Sequence, residues 1–174
     1  MDRPKSNVDF RLMALTYKFR DFFSPRMNIL KEASIKPGFT ILDYGCGPGS
    51  YILPAADLVG KSGKIYVLDI HPLAIKSVKR IIVKKGFTNV ETIQSDCKTG
   101  LSDASMDVVL LYDIFHDLND PEGVLAELHR VLKQDGILSL SDHHLKENEI
   151  VSGISRNGLF KLLRKGERTY SFGK

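Results

Sequence analysis

The sequence predicts an α/β protein built on a doubly wound, mostly parallel sheet of seven strands. Three observations carry this prediction. Short apolar runs alternate with helical stretches from residue 40 onward. The first of these runs ends in a turn with three glycines, and the last two have hairpin spacing. The 174 residues contain no internal repeat and no Pro/Gly-rich linker, so we expect one domain over residues 1–174.

The N-terminal residues predict a helical extension of the sheet. In VDFRLMALTYKFRDFF (8–23) apolar side chains recur on one helical face, and Ser24-Pro25 marks a second helical start. We expect residues 1–36 to form a helical cap or lid and residues 37–174 to form the core.

Five strands are predicted in the first part of the core, and they are TILDY (40–44), KIYVLDI (64–70), NVETIQ (89–94), MDVVLLYD (106–113) and ILSLSD (137–142). The fourth is nearly all apolar, as a strand buried on both faces should be. Helices are predicted over SYILPAADLV (50–59), PLAIKSVKRIIVKKG (72–86) and PEGVLAELHRVLKQDG (121–136). The last two begin at proline and end at glycine, which is the usual punctuation of a helix.

The C-terminal segment FKLLRKGERTYSF (160–172) predicts the remaining two strands. Its two short runs lie on either side of Lys165-Gly166 and would form a β-hairpin. This hairpin would close the sheet with an antiparallel edge.

The amino-acid composition limits the classes of protein to which this chain can belong. Hydrophobic residues make up 43% and charged residues 26%, as in an ordinary globular protein. No apolar run approaches the roughly 18 residues of a membrane span, and the N-terminus lacks the apolar region of a secretory signal. Cys46 and Cys97 are too few for a disulfide framework and lack metal-ligand spacing. We expect a cytoplasmic monomer or homodimer with no membrane partner.

The net charge of +4 is unevenly distributed. Residues 1–40 carry eight Lys/Arg against four Asp/Glu, residues 143–174 seven against three, and residues 41–142 ten against fourteen. The simpler interpretation is a set of solvated faces on a modestly basic protein. The alternative is that the two basic ends approach an anionic substrate together. Nucleic acid is disfavoured because no dense Lys/Arg stripe with interleaved aromatics is present.

The glycine-rich turn lies where a doubly wound fold binds its cofactor. Gly45, Gly47 and Gly49 follow the first strand with G-x-G-x-G spacing. A dinucleotide-binding turn has the spacing G-x-G-x-x-G, but in this sequence Ser50 occupies the position of the last glycine. Asp43, two residues before the turn, would repel a pyrophosphate. A positively charged cofactor, such as a sulfonium, would tolerate that acid.

Two further acids follow neighbouring strands. Asp69 ends the second strand, where a carboxylate accepts hydrogen bonds from the ribose hydroxyls of an adenosine. A nicotinamide cofactor would use it in the same way. Asp96 follows the third strand and is placed to accept a hydrogen bond from the exocyclic amine of an adenine. The alternative is that it caps a helix.

Four segments carry a family resemblance, and they are ILDYGCGPGS, VLDIHP, QSDCKTGLSDASMDVVLLYDIFHDL and LAELHRVLKQDGILSLSD. They resemble the class I S-adenosylmethionine-dependent methyltransferases, and most closely the branch with the ubiquinone/menaquinone-biosynthesis C-methyltransferases and related small-molecule enzymes. The resemblance runs from about residue 38 to the C-terminus. It implies a Rossmann-like sheet with a reversed final hairpin, S-adenosyl-L-methionine as cofactor and a small-molecule methyl acceptor.

The resemblance also implies roles for the residues around the cofactor. The turn Gly45–Gly49 would hold the methionine part and Asp69 the ribose. Asp96 and the backbone of Cys97 would meet the adenine.

By the same resemblance, Tyr112 and Asp113, at the end of the fourth strand, would border the sulfonium and the acceptor. Ile70 and Leu101 are placed to sandwich the adenine ring or to belong to the core.

Methyl transfer needs a catalytic residue only if the acceptor must lose a proton. His116, His143 and His144 follow the fourth and fifth strands, so we expect His116 or His143 to act as a base and His116 or His144 to position the acceptor. A loop histidine bonded to Asp113 or Asp117 is the alternative for His116. No metal is expected, because three adjacent residues such as Asp-His-His rarely converge on one ion.

The acceptor pocket is expected to be small. With no substantial insertion between the fifth strand and the hairpin, its walls must come from the N-terminal helices, the loop after strand four and the end of strand five. This arrangement disfavours a large quinone ring. As part of a lid, Tyr17 or Arg20 would meet the substrate; a helix packed on the sheet or a partner-binding surface are the alternatives.

The predicted reaction is in-line transfer of a methyl group to an O, N, S or C atom of a small molecule, with an anionic molecule as one option. A protein or RNA acceptor, a non-catalytic partner subunit and an NAD-dependent oxidoreductase are the alternatives. The chain has Tyr112-Asp113-Ile114-Phe115 where amide-methylating enzymes carry Asn/Asp-Pro-Pro-aromatic, which argues against exocyclic-amine and glutamine targets.

Overall fold

The computed structural model describes residue 4, residues 6–23 and residues 26–174, with the backbone alone for residues 18–23. The strands are β1 Thr40–Tyr44, β2 Lys64–Asp69, β3 Val90–Gln94, β4 Met106–Tyr112, β5 Leu132–Ser141, β6 Lys161–Lys165 and β7 Tyr170–Gly173. The helices are α1 Asn7–Phe23, α2 Met27–Glu32, α3 Ile52–Val59, α4 Pro72–Lys85, α5 Pro121–Val131 and α6 Glu147–Ser155. A short 3₁₀ turn spans Phe115–Asp117.

The strands form one mixed sheet in the order β3-β2-β1-β4-β5-β7-β6. Strands β1 to β5 pair in parallel, and β7 pairs antiparallel with both β5 and β6. The strand order reverses between β1 and β4, and ligands of such sheets bind outside the carboxyl ends at this point. The predicted Rossmann-like sheet with its reversed hairpin is therefore confirmed.

Helices cover both faces of the sheet, and β4 shows why. Val108 and Leu110 pack into a cluster with α2, α3 and α4, whereas Val109 and Leu111 pack into a cluster with α5 and α6. Successive strand residues point to opposite faces, so an apolar run such as MDVVLLY fits a strand with a core on each side.

The boundary between α5 and β5 differs from the prediction. The helix ends at Val131, not Gly136, because Leu132 is already extended (φ −70°, ψ 139°), buried, and paired with Met106. A Cβ on Gly136 would lie 2.8 Å from the Leu132 side chain and 3.1 Å from the Asp107 carbonyl oxygen. This glycine therefore permits close packing within the strands and does not end the helix.

Helix α6 was not predicted. It lies between β5 and the hairpin, and buries Ile150 and Ile154 against the core. Gly153 interrupts the helical pattern of its sequence, but a Cβ there would lie 2.9 Å from the Phe115 ring. Tertiary packing therefore selects a residue that local propensity disfavours.

Helices α1 and α2 form the predicted N-terminal extension. The helical restart predicted at Ser24-Pro25 lies outside the described residues. Within the described part of the chain, no helix combines the length and hydropathy needed to cross a membrane.

Candidate active site

A cavity of about 410 Å³ opens at the carboxyl ends of β1, β2, β4 and β5. Most of the residues singled out in the sequence line it, and these are Tyr17, Gly45, Gly47, Asp69, Ile70, Tyr112, Asp113, His116, His143 and His144. The fold thus brings together side chains from four strand ends and from α1. We refer to this space as the strand-end cavity.

The glycine turn forms one wall of the strand-end cavity. Gly47 and Gly49 both have positive φ, 53° and 93°. A Cβ on Gly49 would lie 2.8 Å from Ile52 Cδ1, whereas a Cβ on Gly47 would meet only Tyr17 Cε2, at 3.9 Å. Gly49 is therefore required by packing, and Gly47 leaves its backbone open to a ligand.

Asp69 ties the end of β2 to the glycine turn. Its Oδ2 accepts from the Gly47 N–H at 2.8 Å, and its Oδ1 accepts from the His71 N–H at 2.7 Å. Burial raises the pKa of Asp69, and the two backbone donors oppose that rise. Each carboxylate oxygen has a second lone pair, so Asp69 retains the capacity to accept from ligand hydroxyls.

Asp43 lies at the end of β1, only 3% exposed. Burial, reinforced by the charge of Asp69, raises the pKa of Asp43 to about 7. Among the described residues its Oδ2 has no hydrogen-bond partner. A buried carboxylate without such a partner is costly, and a cationic ligand held at the adjoining turn would reduce that cost.

Asp96 lies in a side cavity of about 50 Å³, which shares Asp69 and Ile70 with the strand-end cavity. No helix begins in residues 95–105, so Asp96 does not have the helix-capping role considered as its alternative. The Cys97 N–H donates to Ser95 Oγ at 3.3 Å. The side chains of Cys97 and Leu101 pack against the core and do not line either cavity.

His116 is paired with Asp142. Its Nδ1 lies 2.8 and 3.0 Å from the two carboxylate oxygens of Asp142, and its backbone N–H donates to the same carboxylate at 3.1 Å. Asp142 is fully buried at its side chain and also accepts from the His144 N–H. Of the two acids considered as alternatives, Asp117 also approaches His116, with its Oδ1 3.7 Å from Nε2, but the closer partner is Asp142.

A second pair joins His143 to Asp113. His143 Nδ1 lies 2.7 Å from Asp113 Oδ1, and the backbone N–H of Asp113 donates to Ser141 O at 2.7 Å. Asp113 has a φ of 54°, a left-handed conformation that residues other than glycine seldom adopt. Such conformations cluster at functional sites, where surrounding contacts hold them.

His144 lies between these two pairs. Its ring centre is 4.1 Å from that of His116 and 4.0 Å from that of His143. Within the described residues, no group of three or more His, Cys, Asp or Glu side chains is arranged to hold a metal ion. Carboxylates thus contact the rings of His116 and His143, and the His144 ring lies between them.

His71 lines the cavity too, and the sequence reasoning did not predict this. It caps α4, with Nδ1 accepting from the Leu73 N–H at 3.1 Å, and its ring stacks on Phe10 at 4.4 Å. A histidine directly before the proline that begins α4 is explained by its capping role alone, so the sequence does not reveal its place in the cavity. Its location two residues after Asp69 was the available signal.

Helix α1 covers the strand-end cavity. Phe10, Met13 and Tyr17 line it from one helical face, spaced three and four residues apart. The side chain of Arg20, predicted to meet the substrate, lies outside the described residues.

A second cavity, of about 520 Å³, adjoins the first and shares Tyr17, Asp113 and His143 with it. We refer to it as the hairpin cavity. Its walls include the predicted N-terminal helices, the loop after β4 and the end of β5. The turn between β6 and β7 (166–169) and helix α6 also contribute.

The sequence matches a known family over most of its length. A family model described as a methyltransferase domain matches residues 35–170. The chain belongs to this methyltransferase family. The match covers β1 to the first residue of β7, so it includes the glycine turn, both His–Asp pairs and the part of the hairpin cavity that residues 35–170 line.

Two named relatives of this methyltransferase domain act on different molecules. The aklanonic acid methyltransferase of Streptomyces sp. (strain C5) is 31% identical over 125 residues, which are 70% of this chain and 56% of that protein. The demethylmenaquinone methyltransferase of Geobacillus stearothermophilus is 29% identical over 120 residues, 68% of this chain and 51% of that protein. The chain thus spans about half the length of these relatives.

Among solved structures, a SAM-dependent methyltransferase from Aquifex aeolicus is similar over nearly its whole length. It is 28% identical, with a TM-score of 0.75, and the likeness covers 90% of this chain and 95% of that one. The predicted family, its class I fold and S-adenosylmethionine as the cofactor of that family are therefore confirmed. The oxidoreductase alternative is not favoured.

Proposed function

We propose that this protein transfers a methyl group from S-adenosylmethionine to a small-molecule acceptor. One observation carries the proposal. The strand-end cavity brings the glycine turn and Asp69 into the same space as two histidines, each supported by an aspartate. The residues that would bind the cofactor and those that would accept a proton thus line one cavity.

The residues present fit the cofactor. Asp69 would hold the ribose, the open side of Gly47 would admit the methionine part, and Asp96 would meet the adenine. The buried acid Asp43 is compatible with a cation and opposes a pyrophosphate. When bound, S-adenosylmethionine supplies a methyl group carried on a sulfonium, a good leaving group.

The histidines would remove a proton from the acceptor. An ionised carboxylate only accepts hydrogen bonds, so Asp113 and Asp142 would keep the Nδ1 protons on His143 and His116. Each ring then carries its lone pair on Nε2. His143 lines both cavities, whereas His116 lines the strand-end cavity alone. His143 is therefore the better placed base, with His116 and His144 positioning the acceptor.

Helix α1 would act as a lid. Tyr17 lies over the glycine turn and also lines the hairpin cavity, so α1 would separate both spaces from solvent on that side. Excluding water strengthens the polar interactions within the site and aligns the reactants.

The acceptor class rests on the relatives and on the size of the site. Both named relatives are described by small organic acceptors. A cavity of about 520 Å³ lies within the range of small-molecule sites. We further propose a cytoplasmic monomer or homodimer without a nucleic-acid partner; sedimentation and cell fractionation test these points.

Calorimetry tests the cofactor assignment. S-adenosylmethionine, S-adenosylhomocysteine and NAD would be titrated separately into the wild-type protein and into Asp69→Ala. Loss of a carboxylate that accepts two hydrogen bonds should cost about 2–3 kcal/mol of cofactor affinity. Glu91→Ala is the matched control. Glu91 lies near the start of β3, away from the strand-end cavity, and forms an exposed ion pair with Lys64 of β2.

The outcomes separate the alternatives. Binding of both adenosyl compounds, weakened in Asp69→Ala alone, supports the proposal. Binding of NAD in their place would establish an oxidoreductase instead. A protein that binds none of the three, while remaining folded by circular dichroism, would be a non-catalytic partner.

A further inference from the structure

Asp96, the acid proposed to meet the adenine, belongs to an irregular connection between β3 and β4. Residues 95–105 form this connection without a helix or a strand of their own. Its first part is tied to the sheet, because the Ser95 N–H donates to Asp69 O at 3.3 Å. The Tyr44 hydroxyl also donates to Asp96 O, at 3.2 Å. The shape of the connection therefore depends on hydrogen bonds from its backbone to other elements.

The second part of the connection is tied to helix α5 through Glu127. One carboxylate oxygen of Glu127, Oε1, accepts from the Thr99 N–H at 2.8 Å and from the Thr99 hydroxyl at 2.6 Å. The oxygen of the same hydroxyl accepts from the Leu101 N–H at 3.1 Å. Thr99 is buried and the Glu127 side chain is only 11% exposed, so water competes little for these hydrogen bonds.

Arg130 completes this arrangement from the next turn of α5. Its guanidinium donates from Nε to Glu127 Oε2 at 2.9 Å and from Nη2 to Oε1 at 2.7 Å, which is the two-point geometry that suits a carboxylate. Its Nη1 donates to the Leu101 carbonyl oxygen at 2.8 Å and also to Asp103. We refer to Thr99, Glu127 and Arg130 as the α5 clamp.

The α5 clamp is charged at neutral pH and is built on a firmly packed helix. The hydrogen bonds from Arg130, followed by those from Thr99, lower the pKa of Glu127 to about 2, and burial opposes them only in part. Glu127 is therefore an ionised acceptor at neutral pH. Helix α5 is itself anchored by four apolar side chains that are buried in the core, namely Val124, Leu125, Leu128 and Val131.

The α5 clamp holds the chain close to the acid of the side cavity. Asp96 lines that cavity and lies three residues before Thr99. Both neighbours of Thr99, which are Lys98 and Gly100, are exposed, whereas Thr99 itself is buried against α5. A group that binds a ligand must be held within about 0.5 Å of its binding position, and supporting hydrogen bonds provide this precision.

We infer that Glu127 is a positioning residue for the base specificity of the cofactor site. Through Thr99 it holds the connection so that the Asp96 carboxylate accepts a hydrogen bond from the exocyclic amine of adenine. The protein thereby selects an adenosyl cofactor over one whose base carries an oxygen at that position. This inference rests on the proposed function, since it concerns the same cofactor site. It adds a residue of α5 that lines neither the strand-end cavity nor the side cavity.

The experiment compares the binding of S-adenosylhomocysteine and S-inosylhomocysteine by calorimetry. The inosyl compound has the same ribose and amino acid, but a carbonyl oxygen replaces the exocyclic amine of its base. This oxygen would place an acceptor against the Asp96 carboxylate, which also only accepts. The ratio of the two dissociation constants therefore measures the adenine contact separately from the ribose and amino-acid contacts.

The variants change the α5 clamp in distinct ways. Glu127→Ala removes the acceptor, Thr99→Val removes the hydroxyl but keeps the branched shape, and Thr99→Ser keeps the hydroxyl. Asp96→Ala removes the adenine contact itself. Glu32→Ala is the control for loss of stability, because Glu32 holds the hairpin turn by three hydrogen bonds and lines neither the strand-end cavity nor the side cavity.

We expect the wild-type protein to bind the adenosyl compound about tenfold or more tightly than the inosyl compound. Asp96→Ala, Glu127→Ala and Thr99→Val should each reduce this ratio at least about threefold, through weaker binding of the adenosyl compound. Thr99→Ser and Glu32→Ala should keep the wild-type ratio. The double variant Asp96→Ala/Glu127→Ala should match Asp96→Ala alone, because a residue that acts through Asp96 has no further effect once that carboxylate is removed.

A wild-type ratio near one, a wild-type ratio retained in Glu127→Ala, or effects of the Asp96 and Glu127 substitutions that add in full would overturn the inference. If Glu127→Ala does not fold, as judged by circular dichroism, the two Thr99 variants decide, and equal ratios in Thr99→Val and Thr99→Ser would overturn it. Failure of the wild-type protein to bind S-adenosylhomocysteine at all is a distinct result, which would count against the proposed function itself.

Discussion

His143 Nδ1 lies 2.7 Å from Oδ1 of Asp113, a residue whose backbone is held in the left-handed region. The hydrogen bond from the Asp113 N–H to Ser141 O holds this conformation and links the end of β4 to the end of β5. An ionised Asp113 carboxylate would orient the ring and favour the tautomer that carries its proton on Nδ1. The proposed base is thus supported by backbone geometry as well as by a carboxylate.

Replacing His143 tests its role as the base. His143→Ala should lower kcat at least about 100-fold with any acceptor that must lose a proton, because general bases contribute at that level. Binding of S-adenosylhomocysteine should not change. Asp113→Asn should also lower kcat, since an amide that donates to Nδ1 stabilises the wrong tautomer.

The measurement is transfer of labelled methyl groups to acceptors found in a screen of small phenols, amines and carboxylic acids. His129→Ala is the matched control, because His129 lies on α5 outside both cavities. If His116→Ala abolishes turnover while His143→Ala retains it, His116 is the base.

Asp43 should make folding stability depend on pH. Its pKa is about 7 in the folded protein against an ordinary value near 3.8. As pH rises between these values, the unfolded chain releases this proton while the folded chain keeps it, so the free energy of unfolding falls. From pH 4.5 to 7.5, wild type should lose roughly 3 kcal/mol relative to Asp43→Asn. Urea unfolding at the two pH values measures the difference, and parallel pH profiles would contradict it.

The same acid should link cofactor binding to proton release. A sulfonium cation favours the ionised form of Asp43, so binding of S-adenosylmethionine should lower its pKa and release protons near pH 6. Calorimetry in buffers of different ionisation enthalpy counts these protons. S-adenosylhomocysteine, which has no sulfonium charge, should release fewer, and Asp43→Asn should remove the difference. Equal proton release on binding of the two compounds to the wild-type protein would contradict this prediction.

Two glycines of the same turn should respond differently to alanine. The new Cβ of Gly47→Ala would contact only Tyr17, so strain in the left-handed backbone should cost about 1–2 kcal/mol of stability. The methyl group would, however, enter the strand-end cavity. We expect S-adenosylhomocysteine to bind about tenfold or more weakly. Gly49→Ala should cost more than about 3 kcal/mol, because its Cβ would overlap Ile52 at a φ of 93°. Thermal unfolding and calorimetry on both variants separate these effects.

Glu32 should stabilise the protein more than a surface acid does. Glu32→Ala removes the acceptor of three hydrogen bonds from the hairpin turn, and should cost about 2–4 kcal/mol. Glu91→Ala, in the exposed pair with Lys64, should cost about 0–1 kcal/mol. Denaturant unfolding compares them, and equal losses would show that the turn does not depend on Glu32.

Local patterns in the sequence were enough to predict the sheet and the glycine turn that lines its strand-end cavity. The apolar run of β4, the glycine turn and Asp69 are recognisable because each depends on residues close together in the chain. The end of α5 was not predictable in this way, because Leu132 pairs with Met106 of β4, and β5 therefore begins four residues before Gly136. Helix α6 was missed because its stability comes from Ile150 and Ile154 meeting the core.

The sequence by itself determined the order of the strands along the chain, the turn at Gly45–Gly49 and the histidines that follow β4 and β5. Only the tertiary structure decided their partners. His116 meets Asp142, 26 residues away, and His143 meets Asp113, 30 residues away. Arg26 and the distant hairpin turn likewise line one cavity only in the folded chain. The physical reason is that parallel strands bring their carboxyl ends together, and no local pattern specifies which side chains then come within hydrogen-bond distance.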